Sequence, residues 1–279
     1  MRVHAATPPA STRLFAWLGA ALFFVSLAYF LLSYLTTFGV PTAGGDRATA
    51  ITWNVALFTL FAVHHSVFAR ERVRRWVART VPAEAERSVY VWIASLIFIA
   101  VCALWRPVPG VAWQAEAMLL WALRLLQATG AWLTLRSAAI LDIRELAGLT
   151  FRKPEGVSAP KPEGVSARRP EGPRLPAEGN SGMVAGGLQA SGSEMPASGP
   201  EFKTTGPYGW VRHPIYTGWF LMVFAASPMT MTRLVFAVVS CAYLLIAIPF
   251  EERSMRASPG GAYERYMAQV RWRLLPGVY

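Results

Sequence analysis

The chain has 279 residues, 54% hydrophobic and only 15% charged, with a mean hydropathy of +0.34. A soluble domain carries about 25% charged residues, so this balance excludes a globule covered by water all round, and its high hydrophobicity excludes wholesale disorder. Two cysteines, Cys102 and Cys241, both in apolar runs, exclude a disulfide scaffold and a Cys-rich zinc site. The net charge of +11 fits a nucleic acid, a membrane surface or topology signals, and its position along the chain has to decide among them.

Six segments are apolar enough to cross or enter a bilayer, which takes about 20 helical residues each. They are Leu14 to Phe38, Ala50 to Ala69, Ser88 to Trp105, Glu116 to Leu141, Ile215 to Ser227 and Leu234 to Phe250. The first is too long for a signal-peptide core and has no convincing small-residue cleavage site after it, so it reads as a retained helix. The fifth is short, about 20 Å of helix, and its start belongs in the interface or behind other protein. Arg124 and Arg136 interrupt the fourth. The expected fold is all-α, a polytopic transmembrane bundle of about six helices.

With the N-terminus in the cytoplasm, the regions 1–13, 70–87, 142–214 and 251–279 face inward and carry 22 of the 27 Lys+Arg. Only Arg47, Arg106 and Arg233 face the other side. This is the positive-inside pattern, and it places both termini in the cytoplasm. The run Arg70 to Arg79 then reads as a topology anchor and lipid-headgroup contact. No nucleic-acid reading motif accompanies it. Trp53, Trp105, Trp113 and Trp210 near helix ends read as interface belts.

Residues 152–200 break the pattern. Gly, Pro and Ser make up 23 of these 49, and the heptapeptide Lys-Pro-Glu-Gly-Val-Ser-Ala stands at 153–159 and again at 161–167. Such a segment cannot bury enough apolar surface to offset its ordering entropy, so 152–201 is expected to be a disordered cytoplasmic loop. It separates four N-terminal membrane helices, 1–151, from a C-terminal hairpin and tail, 202–279.

Chemistry concentrates in that last part. The stretch from Gly206 to Gly218 contains Pro207, Tyr208, Arg212, His213, Pro214, Tyr216 and Thr217, and Glu251-Glu252 and a Tyr- and Arg-rich tail follow. Pro214 suits the first helical turn, which puts His213 at the helix start with Tyr216 and Thr217 on its side. Gly218 leaves room for a ligand or another helix. The fifth and sixth segments form a hairpin, so His213 and the Glu pair should meet at one membrane face. Paired carboxylates at the mouth of a membrane helix need solvent or partners, and Arg256 at i,i+4 from Glu252 is one candidate.

The stretch Gly206 to Gly218, the Glu pair and the segment Tyr263 to Pro276 resemble the isoprenylcysteine carboxyl methyltransferase and phospholipid methyltransferase superfamily. Asn54 to Arg70, Glu86 to Val91 and Trp105-Arg106-Pro107 with Trp113 resemble the bacterial methanethiol S-methyltransferase group and its denitrification-associated relatives. The resemblance implies a helical membrane enzyme that uses S-adenosylmethionine (SAM), a cytosolic metabolite. It places His213, Pro214, Tyr216 and Gly218 along the cofactor pocket, has Glu251 or Glu252 hold the cofactor's amino group or ribose, and has Pro207 and Tyr208 shape the loop at its mouth. Where the subgroup has an Asn-His motif after the fourth helix, this chain reads Ala139 to Arg144, with Asp142 kept and no His.

Methyl transfer from a sulfonium is an in-line displacement, so alignment and exclusion of water dominate. A thiol acceptor must reach its thiolate form, which nearby cationic groups favour, and Arg87, Arg212 and His65 are the candidates for that field. Adjacent helical residues point about 100° apart, so one of His64 and His65 faces a given pocket, and the resemblance favours His65. Four histidines in all, His4, His64, His65 and His213, form no ligand set, and no metal is expected. The expected partners are membrane lipid and a small thiol. A prenylcysteine carboxylate, a lipid amine and a non-catalytic accessory role are the alternatives.

Overall fold

A computed structural model describes residues 9–68, 73, 79, 81–82, 85–141, 143–149, 202, 204–257 and 261–279. The chain divides into a unit of 1–154 with 199–279 and a second segment, 155–198. The expected disordered loop, Asp142 and most of the run Arg70 to Arg79 lie outside the described residues.

Long helices dominate: α1 (Ala10–Leu35), α2 (Arg47–Phe68), α3 (Glu86–Ala103), α4 (Ala117–Ile140), the single turn α5 (Ile143–Leu146), α6 (Pro214–Phe224), α7 (Met231–Arg256) and α8 (Ala262–Gln269). Two short strands, β1 (Val111–Trp113) and β2 (Met229–Thr230), pair antiparallel, with Val111 opposite Thr230 and Trp113 opposite Met229. Five helices, α1 to α4 and α7, are long and apolar enough to cross a membrane. The fold is a polytopic helical membrane bundle. The outer face of α4, with Trp121, Leu125, Trp132 and Leu135, is exposed in the isolated chain, as suits a surface facing lipid.

The expected fifth segment is the shorter helix α6, 11 residues or about 16 Å against a hydrocarbon core of about 30 Å. A helix that stops at that depth leaves carbonyls in need of donors. Gln127 Nε2 donates to the Met222 carbonyl at 3.0 Å, and the buried Tyr34 hydroxyl donates to that of Val223. The end of α1 is treated alike. Arg233 Nε donates to the Tyr34 carbonyl and its Nη2 to that of Leu35, both at 2.8 Å. Gly39 makes room for this guanidinium, since a Cβ there would stand 2.3 Å from Arg233 Nη2.

The core sits between α1, α2, α3, α6 and α7, around the fully buried Phe236. Phe30 stacks on it at 5.2 Å, and Trp105 meets it edge-on at 5.2 Å. Trp105 is therefore a core residue at 6% exposure, a correction to its expected place in an interface belt. It lies near a helix end, but the chain folds inward there. Asn54, fully buried on α2, receives the Arg106 N–H and donates back to the Arg106 carbonyl, each at 2.8 Å, so this loop is bonded to the bundle.

Two helices meet through small residues. A Cβ on Gly130 of α4 would lie 2.6 Å from the Gly218 carbonyl oxygen, and one on Gly218 of α6 would lie 2.4 Å from Thr134 Oγ1. Removing side chains at both positions lets the two backbones touch, the usual device where packing drives association in lipid. This contact sets the position of α6 and of the residues at its start.

Candidate active site

Pro214 is the first residue of α6 and His213 the residue before it. A proline there gives up an N–H that would have no intrahelical partner in any case. The N–H groups of Tyr216 and Thr217 both bond to the His213 carbonyl at 3.0 Å, which closes the first turn. The His213 and Tyr216 rings stack at 5.5 Å with 9° between their planes. Gly206 to Gly209 forms a 3-10 turn before them, and the Tyr266 hydroxyl of α8 holds the Tyr208 carbonyl at 2.8 Å.

The chain after α8 returns to this point. Arg212 N–H donates to the Trp272 carbonyl at 2.8 Å, His213 N–H to that of Arg273 at 2.9 Å, and Thr217 Oγ1 to that of Leu274 at 2.8 Å. The segment 272–274 therefore works as a backbone template for the His-Pro turn.

The last turns of α7 bring in the two carboxylates. Pro249 interrupts the hydrogen-bond ladder just before them. His213 Nε2 lies 3.4 Å from Glu252 Oε1 and its Nδ1 lies 3.8 Å from Glu251 Oε2, so the hairpin does join these residues at one face. The two glutamates have different tasks. Glu252, 2% exposed, accepts from Arg212 Nε at 2.8 Å and from Arg273 Nε at 3.0 Å. Arg256, the i,i+4 partner expected from the sequence, is farther off at 4.0 Å. Glu251, with 41% of its side chain exposed, accepts from the Tyr216 hydroxyl at 2.5 Å. Burial pushes the His213 imidazole below its ordinary pKa, with Glu252 opposing the shift.

The front half contributes a second group. His65 of α2 is exposed, and its Nδ1 lies 2.7 Å from the Tyr90 hydroxyl of α3. Arg87, one turn earlier, places its guanidinium carbon 5.5 Å from the centre of the Tyr90 ring. Tyr90 is near enough to Tyr216 for the two hydroxyls to interact electrostatically, and Tyr208 acts on Tyr216 in the same way.

The expected residues thus fall into distinct positions. His213, Tyr216 and Glu251 form one cluster; Pro214 opens the helix that carries Tyr216, and Pro207 and Tyr208 are buried in the 3-10 turn before it. His65 and Arg87 form a neighbouring one with Tyr90. Arg212 is committed to Glu252 and, through Nη1, to the Val270 and Arg271 carbonyls at 2.9 and 2.7 Å, so its guanidinium is spent on holding the tail. Gly218 meets α4 as described above. Tyr90 and Arg273 were not singled out in the sequence. Tyr90 lies one helical turn after Arg87, a spacing that could have flagged it, whereas no local signal marks Arg273 as the partner of a residue 21 positions away.

A profile of the isoprenylcysteine carboxyl methyltransferase (ICMT) family matches residues 195–257. Methanethiol S-methyltransferase 2 of Bradyrhizobium diazoefficiens is 32% identical over 264 residues, covering 92% of this chain and 87% of that protein. Methanethiol S-methyltransferase of Pseudomonas deceptionensis is 33% identical, over 86% of this chain and 80% of that protein. The Mycobacterium tuberculosis protein of the same name is 32% identical, over 79% and 76%. No solved structure matches the chain. Full-length likeness at this level and the matched C-terminal module, on a bundle that gathers the module's polar residues at one end, place the chain in the family of ICMT-type membrane methyltransferases that includes these relatives.

Proposed function

We propose that the protein transfers a methyl group from SAM to a small thiol, at a site open to the cytoplasm. The observation that carries this is the division of labour between the two glutamates. Glu252 is neutralised by two arginines, whereas Glu251 keeps a half-exposed carboxylate beside Tyr216 and His213. A group bearing an ammonium and a sulfonium suits such a place. The carboxylate answers the ammonium, and the faces of Tyr216 and Tyr208 answer the sulfonium.

When bound, SAM supplies an electrophilic methyl group and a neutral leaving sulfur. The chain's own residues do the rest. Glu251 and Tyr216 orient the donor. His213 remains neutral through burial and fills the wall behind Tyr216. The Arg212–Glu252–Arg273 clamp holds the segment that fixes this wall. His65 and Arg87 supply the field that favours an anionic sulfur. The names of the relatives support methanethiol, or a thiol of that size, as acceptor. The excess of Lys+Arg in 1–13, 70–87, 142–214 and 251–279 supports a cytoplasmic position for both termini and the site, with the protein in a bacterial inner membrane.

The test uses purified protein in nanodiscs. Calorimetric titration with SAM should give saturable binding, and a thiol panel with labelled SAM should give a methyl thioether. Absence of both would overturn the proposal. SAM binding with methyl transfer only to a prenylcysteine carboxylate or a lipid amine would overturn its acceptor half.

A further inference from the structure

We infer that Tyr90 is a positioning residue for His65, and that the His65 Nε2–H so presented is the seat of the acceptor sulfur, with Arg87 beside it. This rests on the thiol-methylation reading above. The bond between the Tyr90 hydroxyl and His65 Nδ1 joins α3 to α2 at 2.7 Å, so it fixes the imidazole across a helix interface. Stacking holds both rings: Phe61 lies 5.8 Å from His65, and His64 lies 5.8 Å from Tyr90.

In the inferred arrangement the Tyr90 hydroxyl donates to Nδ1, the one hydrogen bond it makes among the described residues, and the proton of the neutral imidazole then sits on Nε2. That atom has no hydrogen-bond partner among the described residues, and the side chain is exposed. An N–H donor bonds an anionic sulfur more strongly than a neutral one, so it favours the thiolate. Arg87, whose guanidinium carbon lies 5.5 Å from the centre of the Tyr90 ring, adds a cation beside the pair that favours an anionic ligand. The other titratable ring packed on this pair among the described residues is His64, stacked on Tyr90 at 5.8 Å, and Tyr216 is the group beyond it that the Tyr90 hydroxyl influences electrostatically.

The chemistry then balances without a protein base. The thiol leaves its proton in water and is held as RS⁻. A lone pair on that sulfur forms the new C–S bond to the methyl of a sulfonium donor. The electron pair of the breaking C–S bond returns to the donor sulfur, which departs as a neutral thioether. One anion and one cation become two neutral molecules. His65 neither takes nor gives a proton, and Tyr90 touches no reacting atom.

The test uses the full chain in nanodiscs, with ethanethiol and the more acidic trifluoroethanethiol as probes. Without methyl donor, the ultraviolet absorbance of ethanethiolate is followed against pH. The wild type should ionise the bound thiol at lower pH than free thiol, and Tyr90→Phe should move the midpoint back toward the free value. With SAM, kcat/KM for ethanethiol should fall about tenfold or more in Tyr90→Phe, the scale of one charge-assisted hydrogen bond. It should fall much less for trifluoroethanethiol, which ionises by itself. His65→Gln, which keeps an N–H donor, should outperform His65→Ala. Equal losses for both thiols in Tyr90→Phe, or an unmoved thiolate midpoint, would overturn the inference while leaving wild-type thiol methylation intact. A wild type that methylates no thiol would remove the underlying reading instead.

Discussion

Arg212 donates to Glu252 at 2.8 Å across 40 positions of sequence, with both side chains nearly sealed from solvent. The pair ties the loop before α6 to the end of α7, and Arg273 draws the tail onto the same carboxylate. Removing one partner of a buried ion pair strands the other charge. Glu252→Ala should therefore lower unfolding stability by about 3–5 kcal/mol. Arg212→Met should act in the same direction. Thermal melts of the purified variants would check both, and a melt unchanged from wild type would contradict the clamp.

Glu251 should behave in the opposite way. Its carboxylate is half-exposed and bonded to the Tyr216 hydroxyl. Glu251→Gln should keep the melting behaviour of the wild type and weaken SAM binding about tenfold or more, the scale of a lost charge-assisted bond. Calorimetry would check it. Equal SAM affinity in Glu251→Gln would move the donor site elsewhere.

The α4–α6 contact predicts a packing defect. Gly218→Ala places a methyl 2.4 Å from Thr134 Oγ1 and 2.6 Å from the Gly130 carbonyl oxygen. Overpacking of this kind costs about 1–3 kcal/mol. Adding Thr134→Ala removes the nearest atom but not the backbone, so it should restore only part of the loss. A double variant as stable as wild type would mean that the backbones can separate freely.

His213 predicts a pH dependence. Burial holds its imidazole below the unfolded value of about 6.5, so between the folded and unfolded pKa values the unfolded chain binds more protons. Stability from this residue is complete above about pH 6.5 and falls as pH drops through the window below it, by at most about 1.4 kcal/mol per pH unit. His213→Asn should flatten that part of the profile. Melts from pH 7.5 down to 5.5 would show the wild type losing more than the variant, and parallel losses would contradict it.

The meeting of His213 with Glu251 and Glu252 was legible in the sequence, because topology needs little detail. Two apolar runs joined by the short turn around Pro228 must return to the side they left, and Pro214 marks where the first of them begins. What stayed hidden depends on distant partners. The different roles of Glu251 and Glu252 come from Arg273, which reaches back from the tail. The commitment of Arg212 depends on the Val270 and Arg271 carbonyls. Tyr90 acquires its role from an imidazole on another helix. Trp105 was misplaced for the same reason: position relative to a helix end says nothing about whether the following loop folds inward onto Phe38 and Phe236.

The template formed by 272–274 has a consequence for how the enzyme matures. The amides of Arg212 and His213 wait for acceptors that leave the ribosome about 60 residues later. Until then the His-Pro turn has no second wall and Arg212 lacks its carbonyl partners. A nascent chain with α6 and α7 already inserted therefore still carries a His-Pro turn whose amides lack their acceptors, and that turn takes its final shape only once the later segment folds back onto it.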